Sequence, residues 1–148
     1  MITIKMLMDA KKDATMYSVS PTDTVYYALE QMAQANIGAV LVCENDQMVG
    51  IFTERDYARK IILMGRQSLD TQIQEIMTKE MIIAQPDTTL DEAMAVMAKF
   101  HIRHLPVMEH GRLVGLISMR DVVDALIASK DDLIENLENY ILGKGYGR

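Results

Sequence analysis

At 148 residues the chain is long enough for one ordinary domain, or for two half-size units sharing a core, and its 49% hydrophobic and 24% charged residues are a globular mixture. A net charge of −6 and a pI of about 5.0 exclude a sequence-independent nucleic-acid binder, which needs clustered Lys and Arg, but leave room for a local basic pocket. Cys43 is alone and can form no intrachain disulfide, which fits a reducing, cytoplasmic setting, and no run resembles a signal peptide or approaches the roughly 20 apolar residues of a membrane span.

Met16–Val19 is expected to form a short strand that turns at Pro21. Thr24 then caps a helix in which Val25, Ala28, Leu29, Met32 and Ala33 recur at three- and four-residue spacing and make one apolar face. Ala39–Cys43 and Met48–Phe52 read as strands joined by the polar turn Glu44–Gln47, and Glu54–Leu63 as a second helix. Gly65–Gln72 is a polar link, after which Gln74–Thr78 leads into a strand at Met81–Ala84. Thr89 and Glu92 fit a capping box on the next helix. Two more strands meet at the turn Glu109–Arg112, where Gly111 supplies a left-handed backbone position, and Met119–Ile127 is helical. Asp131–Leu142 reads as a short amphipathic helix with Leu133, Ile134, Leu137 and Ile141 on one face, too apolar to stay solvated alone, and Gly143–Arg148 as a frayed end. The 13 methionines read as soft filling for irregular gaps in the core.

The chain repeats itself. Shifted by 65 residues, Ser20–Tyr57 lies on Gln85–Val122 without a gap, and 12 of the 38 positions are identical. The run Gly50-Ile-Phe-Thr53-Glu-Arg55-Asp56 falls on Gly115-Leu-Ile-Ser118-Met-Arg120-Asp121. Each unit therefore reads strand, helix, strand, strand, helix, and two copies imply a pseudo-twofold α/β (α+β) module with like sites facing across a seam.

The strand-to-helix corner carries the chemistry. Thr53 and Ser118 stand at N-cap positions by spacing, with Asp56 and Asp121 three residues on, a pattern that serves equally well to start a helix. A glycine three residues before each hydroxyl would let a ligand approach the backbone, an arginine (Arg55, Arg120) precedes each aspartate, and helix N-termini offer free amides to anions. A hydroxyl, a carboxylate and free amides at one corner suit a ribose phosphate. His101-Ile-Arg103-His104-Leu-Pro106-Val precedes the second copy's central strand, and Arg103 and His104 offer positive charge to phosphate. The first copy has Gly38 and Ala39 there, so the two sites should differ. Three histidines within ten residues raise a metal site, but no Cys or carboxylate stands at a zinc spacing. Cys43, mid-strand, is expected to be buried and inert. No nucleophile elbow, glycine-rich phosphate loop or His-Glu-x-x-His is present, so no catalysis is expected.

The repeated Gly-apolar-x-Thr/Ser-x-x-Asp corner and the Ile-Arg-His-Leu-Pro-Val strand resemble the CBS domain, and two in tandem resemble a Bateman module, from about Met8 to Lys130. Thr53-Glu-Arg-Asp-Tyr-Ala-Arg-Lys, Gly65-Arg66 and Glu75-Ile-Met-Thr78 are similar to small stand-alone CBS-pair proteins of bacteria and organelles. The resemblance implies CBS units over 8–66 and 73–130, with a tail over 131–148. It implies clefts for AMP, ADP, ATP, S-adenosylmethionine or NAD, with no required cofactor, no membrane or nucleic-acid partner, a homodimer and an unidentified partner protein. Carried over, Asp56 and Asp121 would hold ribose and Thr53 and Ser118 phosphate. Adenine would pack against Tyr17, Ser18, Val19 and Ile37 in one cleft, and against Ile82, Ile83, Ala84 and Ile102, beside Pro106, in the other. The alternative is a structural or interaction protein with vestigial sites, acting through dimerisation.

Overall fold

A computed structural model describes residues 1–11 and 16–142, with the Tyr140 side chain left out. Helix α1 (Ile4–Ala10) comes first, where no element was expected. The first unit follows: β1 (Ser18–Val19), α2 (Val25–Ala35), β2 (Ala39–Glu44), β3 (Gln47–Thr53) and α3 (Glu54–Asp56), which widens into a π-helical turn at Tyr57–Ile62. A single 3-10 turn (Ile73–Glu75) opens the second unit, which continues with α4 (Leu90–Phe100), β4 (His104–Glu109), β5 (Arg112–Ser118) and α5 (Met119–Ile141).

The turn chemistry explains the hairpins. Asn45 and Asp46 take φ of 52° and 61°, and His110 and Gly111 take 51° and 75°. Two left-handed residues in a row match the twist of a tight antiparallel hairpin. Thr24 and Thr89 cap α2 and α4, accepting from Tyr27 N–H and Glu92 N–H at 3.1 Å each.

Three expectations are corrected. Met81–Ala84 is not a strand; only Ala84 bridges, in parallel, to Val107. In the first unit Leu41 N–H donates to the Tyr17 carbonyl and holds β1 on β2. Pro106 stands at the matching place in the second unit and has no N–H to donate. The expected tail helix is not separate: Ser129, Lys130 and Asp131 contain no breaker, and α5 runs unbroken for 23 residues. The second helix of the first unit is α-helical for one turn only before the π widening. The expected fraying of Gly143–Arg148 lies outside the described residues.

Each unit has its own core. Val19, Val25, Ala28, Val40, Val42, Phe52 and Ile61 fill the first, and Leu90, Ala93, Met97, Leu105, Val107, Ile117 and Val122 the second. Each core is completed by a segment from the other side of the chain. Ile4 and Leu7 of α1 are buried in the second core, while Ile73 and Ile76 are buried in the first. The bonds match one for one: Ile4 N–H to Thr88 O and Leu90 N–H to Ile2 O, against Ile73 N–H to Asp23 O and Val25 N–H to Thr71 O. So the repeat extends to a leader, Ile4-Lys-Met-Leu-Met8 against Ile73-Gln-Glu-Ile-Met77, at a shift of 69 residues.

Both faces of β2 are covered. Val40 and Val42 point into the first core, whereas Ala39 and Leu41, with Ile51, meet Met81, Leu113 and Leu116 in a seam cluster between the two sheets. This sheet-on-sheet seam holds the two strand-to-helix corners near each other. Cys43, expected to be buried, is only partly so and borders the same cluster. Burial still raises its thiol pKa above the ordinary 9.0, against a lowering hydrogen bond from Ser18, so the side chain remains a thiol.

Candidate functional site

The two corners have the same backbone frame. In β2–β3 Ala39 pairs with Thr53, and in β4–β5 His104 pairs with Ser118, so the residue that begins each central strand stands beside the cap of the following helix. Thr53 Oγ1 accepts from Asp56 N–H at 3.1 Å, and Asp56 Oδ2 accepts from Thr53 N–H at 3.0 Å. Ser118 Oγ and Asp121 repeat the exchange at 3.1 and 2.9 Å. Both are reciprocal capping boxes that satisfy amide donors otherwise orphaned at a helix start.

The remaining lone pairs differ. At the first corner Lys60 Nζ lies 3.1 Å from Asp56 Oδ1, and the Thr78 hydroxyl lies 3.3 Å from the same oxygen. Asp56 is buried and its acceptors are engaged on both oxygens. At the second corner Asp121 Oδ2 also meets Lys11 Nζ at 3.2 Å, but Oδ1 has no hydrogen-bond partner among the described residues. Asp121 is half-buried, and the His104 imidazole feels its charge.

Burial lowers the His104 pKa from 6.5; Asp121 pulls it back up and Arg103 pushes it further down. His104 is therefore a neutral imidazole at neutral pH, which corrects the expectation that it adds positive charge. Arg103 is exposed. The other two candidate arginines turn elsewhere. Arg55 Nη1 donates across the seam to the His101 carbonyl, and Arg120 lies 3.8 Å from Asp124 on the outer face of α5.

The glycines do not leave an open approach. A Cβ on Gly50 would meet Met77 Sδ at 2.7 Å, and one on Gly115 would meet Met8 Sδ at 2.6 Å. The leader methionines fill the space the missing side chains leave.

Of the residues expected to hold adenine, Tyr17 and Ile37 lie partly buried against the first core, Val19 is inside it, and Ser18 is exposed beside Cys43. Ile82 and Ile102 flank the second core; Ala84 and Pro106 are buried, bonded to one another through Ala84 N–H and Pro106 O at 2.9 Å; Ile83 is half exposed. Lys60, Thr78 and Lys11 were not singled out from sequence. The i, i+4 spacing of Asp56 and Lys60 was the available signal.

Two open cavities border the first corner. One, of about 340 Å³, is lined by Leu29, Met32, Ala33, Asn36, Ile37, Gly38 and Glu54. His104 reaches its edge from the other unit, its Cε1 3.6 Å from where a Gly38 Cβ would lie. The other, of about 370 Å³, lies on the far side of Lys60. No group of three or more His, Cys, Asp or Glu among the described residues is arranged to hold a metal ion.

The family model described as the CBS domain matches residues 4–63 and 73–128. The chain belongs to the CBS domain family. It is 39% identical over 152 residues to the mitochondrial CBS domain-containing protein CBSX3 of Arabidopsis thaliana, covering 97% of this chain and 73% of that one. A solved structure described as a putative signal-transduction protein with CBS domains, from Burkholderia ambifaria MC40-6, is 45% identical with a TM-score of 0.83, covering 85% of this chain and 94% of that chain. The CBS domain pair of protein MJ0100, solved in complex with 5-methylthioadenosine and S-adenosyl-L-methionine, has a TM-score of 0.73 at 23% identity, covering 84% of this chain and 98% of that one. These likenesses make the chain a tandem CBS pair of the α+β Bateman type. Its leaders are part of the matched CBS units, since both matches begin at the isoleucines Ile4 and Ile73.

Proposed function

We propose that this CBS pair is a regulatory module that binds an adenosine-bearing ligand at the second corner and transmits its occupancy to a partner protein. One observation carries this reading: Asp121 Oδ1 is unpaired among the described residues, beside Ser118, the neutral His104 and the cation Arg103. The cap consumes only Oδ2, so capping and binding are compatible. Oδ1 can accept from ribose hydroxyls, the Ser118 corner faces phosphate, and Ile82, Ile83 and Ile102 offer the base an apolar wall.

AMP, ADP, ATP, S-adenosylmethionine and NAD all carry the required adenosine. MJ0100 binds two adenosyl compounds on the same fold, although at 23% identity that likeness speaks to fold alone. The first corner, closed by Lys60, is the weaker site. The module acts as a homodimer in a reducing compartment, the cytoplasm; CBSX3 is described as mitochondrial, and no described helix is long and apolar enough to cross a membrane.

A second reading has its own support. Both acids complete capping boxes, which a purely structural CBS pair working through dimerisation would also show. Mass spectrometry of nucleotide released from the purified chain, with calorimetry against AMP, ATP and S-adenosylmethionine, separates the two. Saturable binding that weakens in Asp121→Asn supports the sensor; no ligand in either experiment supports the structural protein.

A further inference from the structure

The cavity beyond Lys60 is a concentration of positive charge in an acidic protein. Arg59, Lys60 and Arg66 line it against one acid, Glu75, and Met64, Ile76 and Met77 form its apolar part. The π-helical turn builds this rim. A π turn needs more residues than an α turn, so residues five apart, such as Arg59 and Met64, come to one side. Leu63 N–H bonds to Ala58 O and Arg66 N–H to Ile61 O, the five-residue reach that wraps the segment round the cavity.

The three cations are not equivalent. Lys60 is already spent: its ammonium serves the Ile76 carbonyl at 3.0 Å, the Thr78 hydroxyl at 3.3 Å and Asp56 at 3.1 Å. Arg66 is held in place. Glu75 Oε1 accepts from Arg66 Nη2 at 2.6 Å, while Glu75 Oε2 accepts from Gln72 N–H at 2.7 Å. That second bond anchors the carboxylate, and the guanidinium keeps further donors for a ligand. Arg59 makes no ion pair among the described residues. One anchored and one unpaired guanidinium at the mouth of an apolar-floored cavity form a fork for a tetrahedral dianion with a carbon body.

We propose that this cavity binds a small organic phosphate, with the phosphate between Arg59 and Arg66 and the carbon body on Met64, Ile76 and Met77. The site is separate from the adenosyl corner at Asp121 and stands or falls independently of it.

Phenyl phosphate, which has no adenosine, is the probe, titrated into the full chain by calorimetry at low salt. Saturable binding is expected, weakened roughly ten-fold in Arg59→Gln and again in Arg66→Gln, and weakened by added salt. Asp121→Asn and the distant Lys99→Gln should bind as the parent does. Both arginines are exposed, so their loss should not disturb folding. Undetectable binding, unchanged affinity in both arginine variants, or an equal loss in Lys99→Gln overturns the proposal. A loss confined to Asp121→Asn also overturns it, and would move the phosphate to the adenosyl corner.

Discussion

The Lys60 ammonium sits 3.1 Å from the Asp56 carboxylate, and the matching position in the second unit is Ala125. The two like corners are thus unequal: Lys60, from the same helix, and Thr78 engage Asp56 Oδ1, whereas Asp121, met by Lys11 on Oδ2, keeps Oδ1 open among the described residues. Lys60→Ala is expected to cost about 0.5–1.5 kcal/mol of folding stability, since the pair is partly buried and hydrogen-bonded. It should also open the first corner. Calorimetric stoichiometry for the adenosyl ligand should rise from one site per chain towards two; a stoichiometry unchanged by the variant would show that Lys60 is not what closes the first site.

Asp121 completes the capping box and is the proposed ligand acceptor, and two substitutions separate these roles. Asparagine retains a cap acceptor, so Asp121→Asn should lose well under about 1 kcal/mol of stability. Alanine removes the carboxylate half of the capping box, leaving Ser118 Oγ as the cap, and should lose about 1 kcal/mol. Both should weaken adenosyl binding roughly ten- to a hundred-fold, because both remove the charge that strengthens the ribose bonds. Urea denaturation and calorimetry on the two variants give the comparison. Binding that follows stability, with Asp121→Asn nearly unaffected, would reduce the carboxylate to a cap.

The ungapped 65-residue shift made the strands, the helices and the two corners legible, because each is set by local spacing and turn chemistry. What the sequence concealed was long-range. The leaders Ile4–Met8 and Ile73–Met77 repeat at a different shift, and each packs into the core of the other unit, so scanning at one offset passes over them. Pro106 explains why β1 has only a one-residue counterpart at Ala84, a loss visible only once the pairing partner is known. The glycines signalled close approach correctly but not by what: Met77 and Met8 occupy the space assigned to a ligand. Similarly, His104 looked cationic from its type, and burial makes it neutral.

That burial has a pH consequence. The folded pKa of His104 lies below its unfolded value of 6.5, so the unfolded chain binds the proton first as pH falls. The contribution of this group to stability is whole above about pH 6.5, declines as pH drops towards the lowered folded value, and then levels off. His104→Gln should flatten this part of the profile. Urea midpoints measured from about pH 5 to 8 for parent and variant test it; parallel curves would assign the slope to other groups.

Leu133, Ile134, Leu137 and Ile141 are all exposed on the outer half of α5 and do not dock on the module. If the proposed homodimer uses this stripe, deleting residues after Lys130 should lower the sedimenting mass at a given concentration and leave the melting of the dilute chain unchanged. An unaltered mass would place the dimer contact elsewhere.

Gly50 and Gly115 occupy matched positions but meet unlike neighbours. A Cβ on Gly115 would clash with Met8 Sδ alone, at 2.6 Å, with the next atom at 3.8 Å. Met8 is partly exposed, and its thioether can rotate aside. A Cβ on Gly50 would meet Met77 Sδ at 2.7 Å, Met77 Cγ at 2.9 Å and the Thr78 carbonyl at 3.1 Å. The carbonyl cannot yield, because Thr78 and Ile51 exchange backbone bonds at 2.9 and 3.0 Å and the Thr78 hydroxyl is tied to Asp56 and Lys60. Gly50→Ala should therefore cost about 1–3 kcal/mol, and Gly115→Ala less than about 1 kcal/mol, since alanine's lower entropy cost in a strand offsets part of the strain. Thermal melts of the two variants measure the difference. Equal losses would mean that the leader of the second unit yields as readily as the leader of the first, and that its bridge to Ile51 is not the rigid wall of the Asp56 corner.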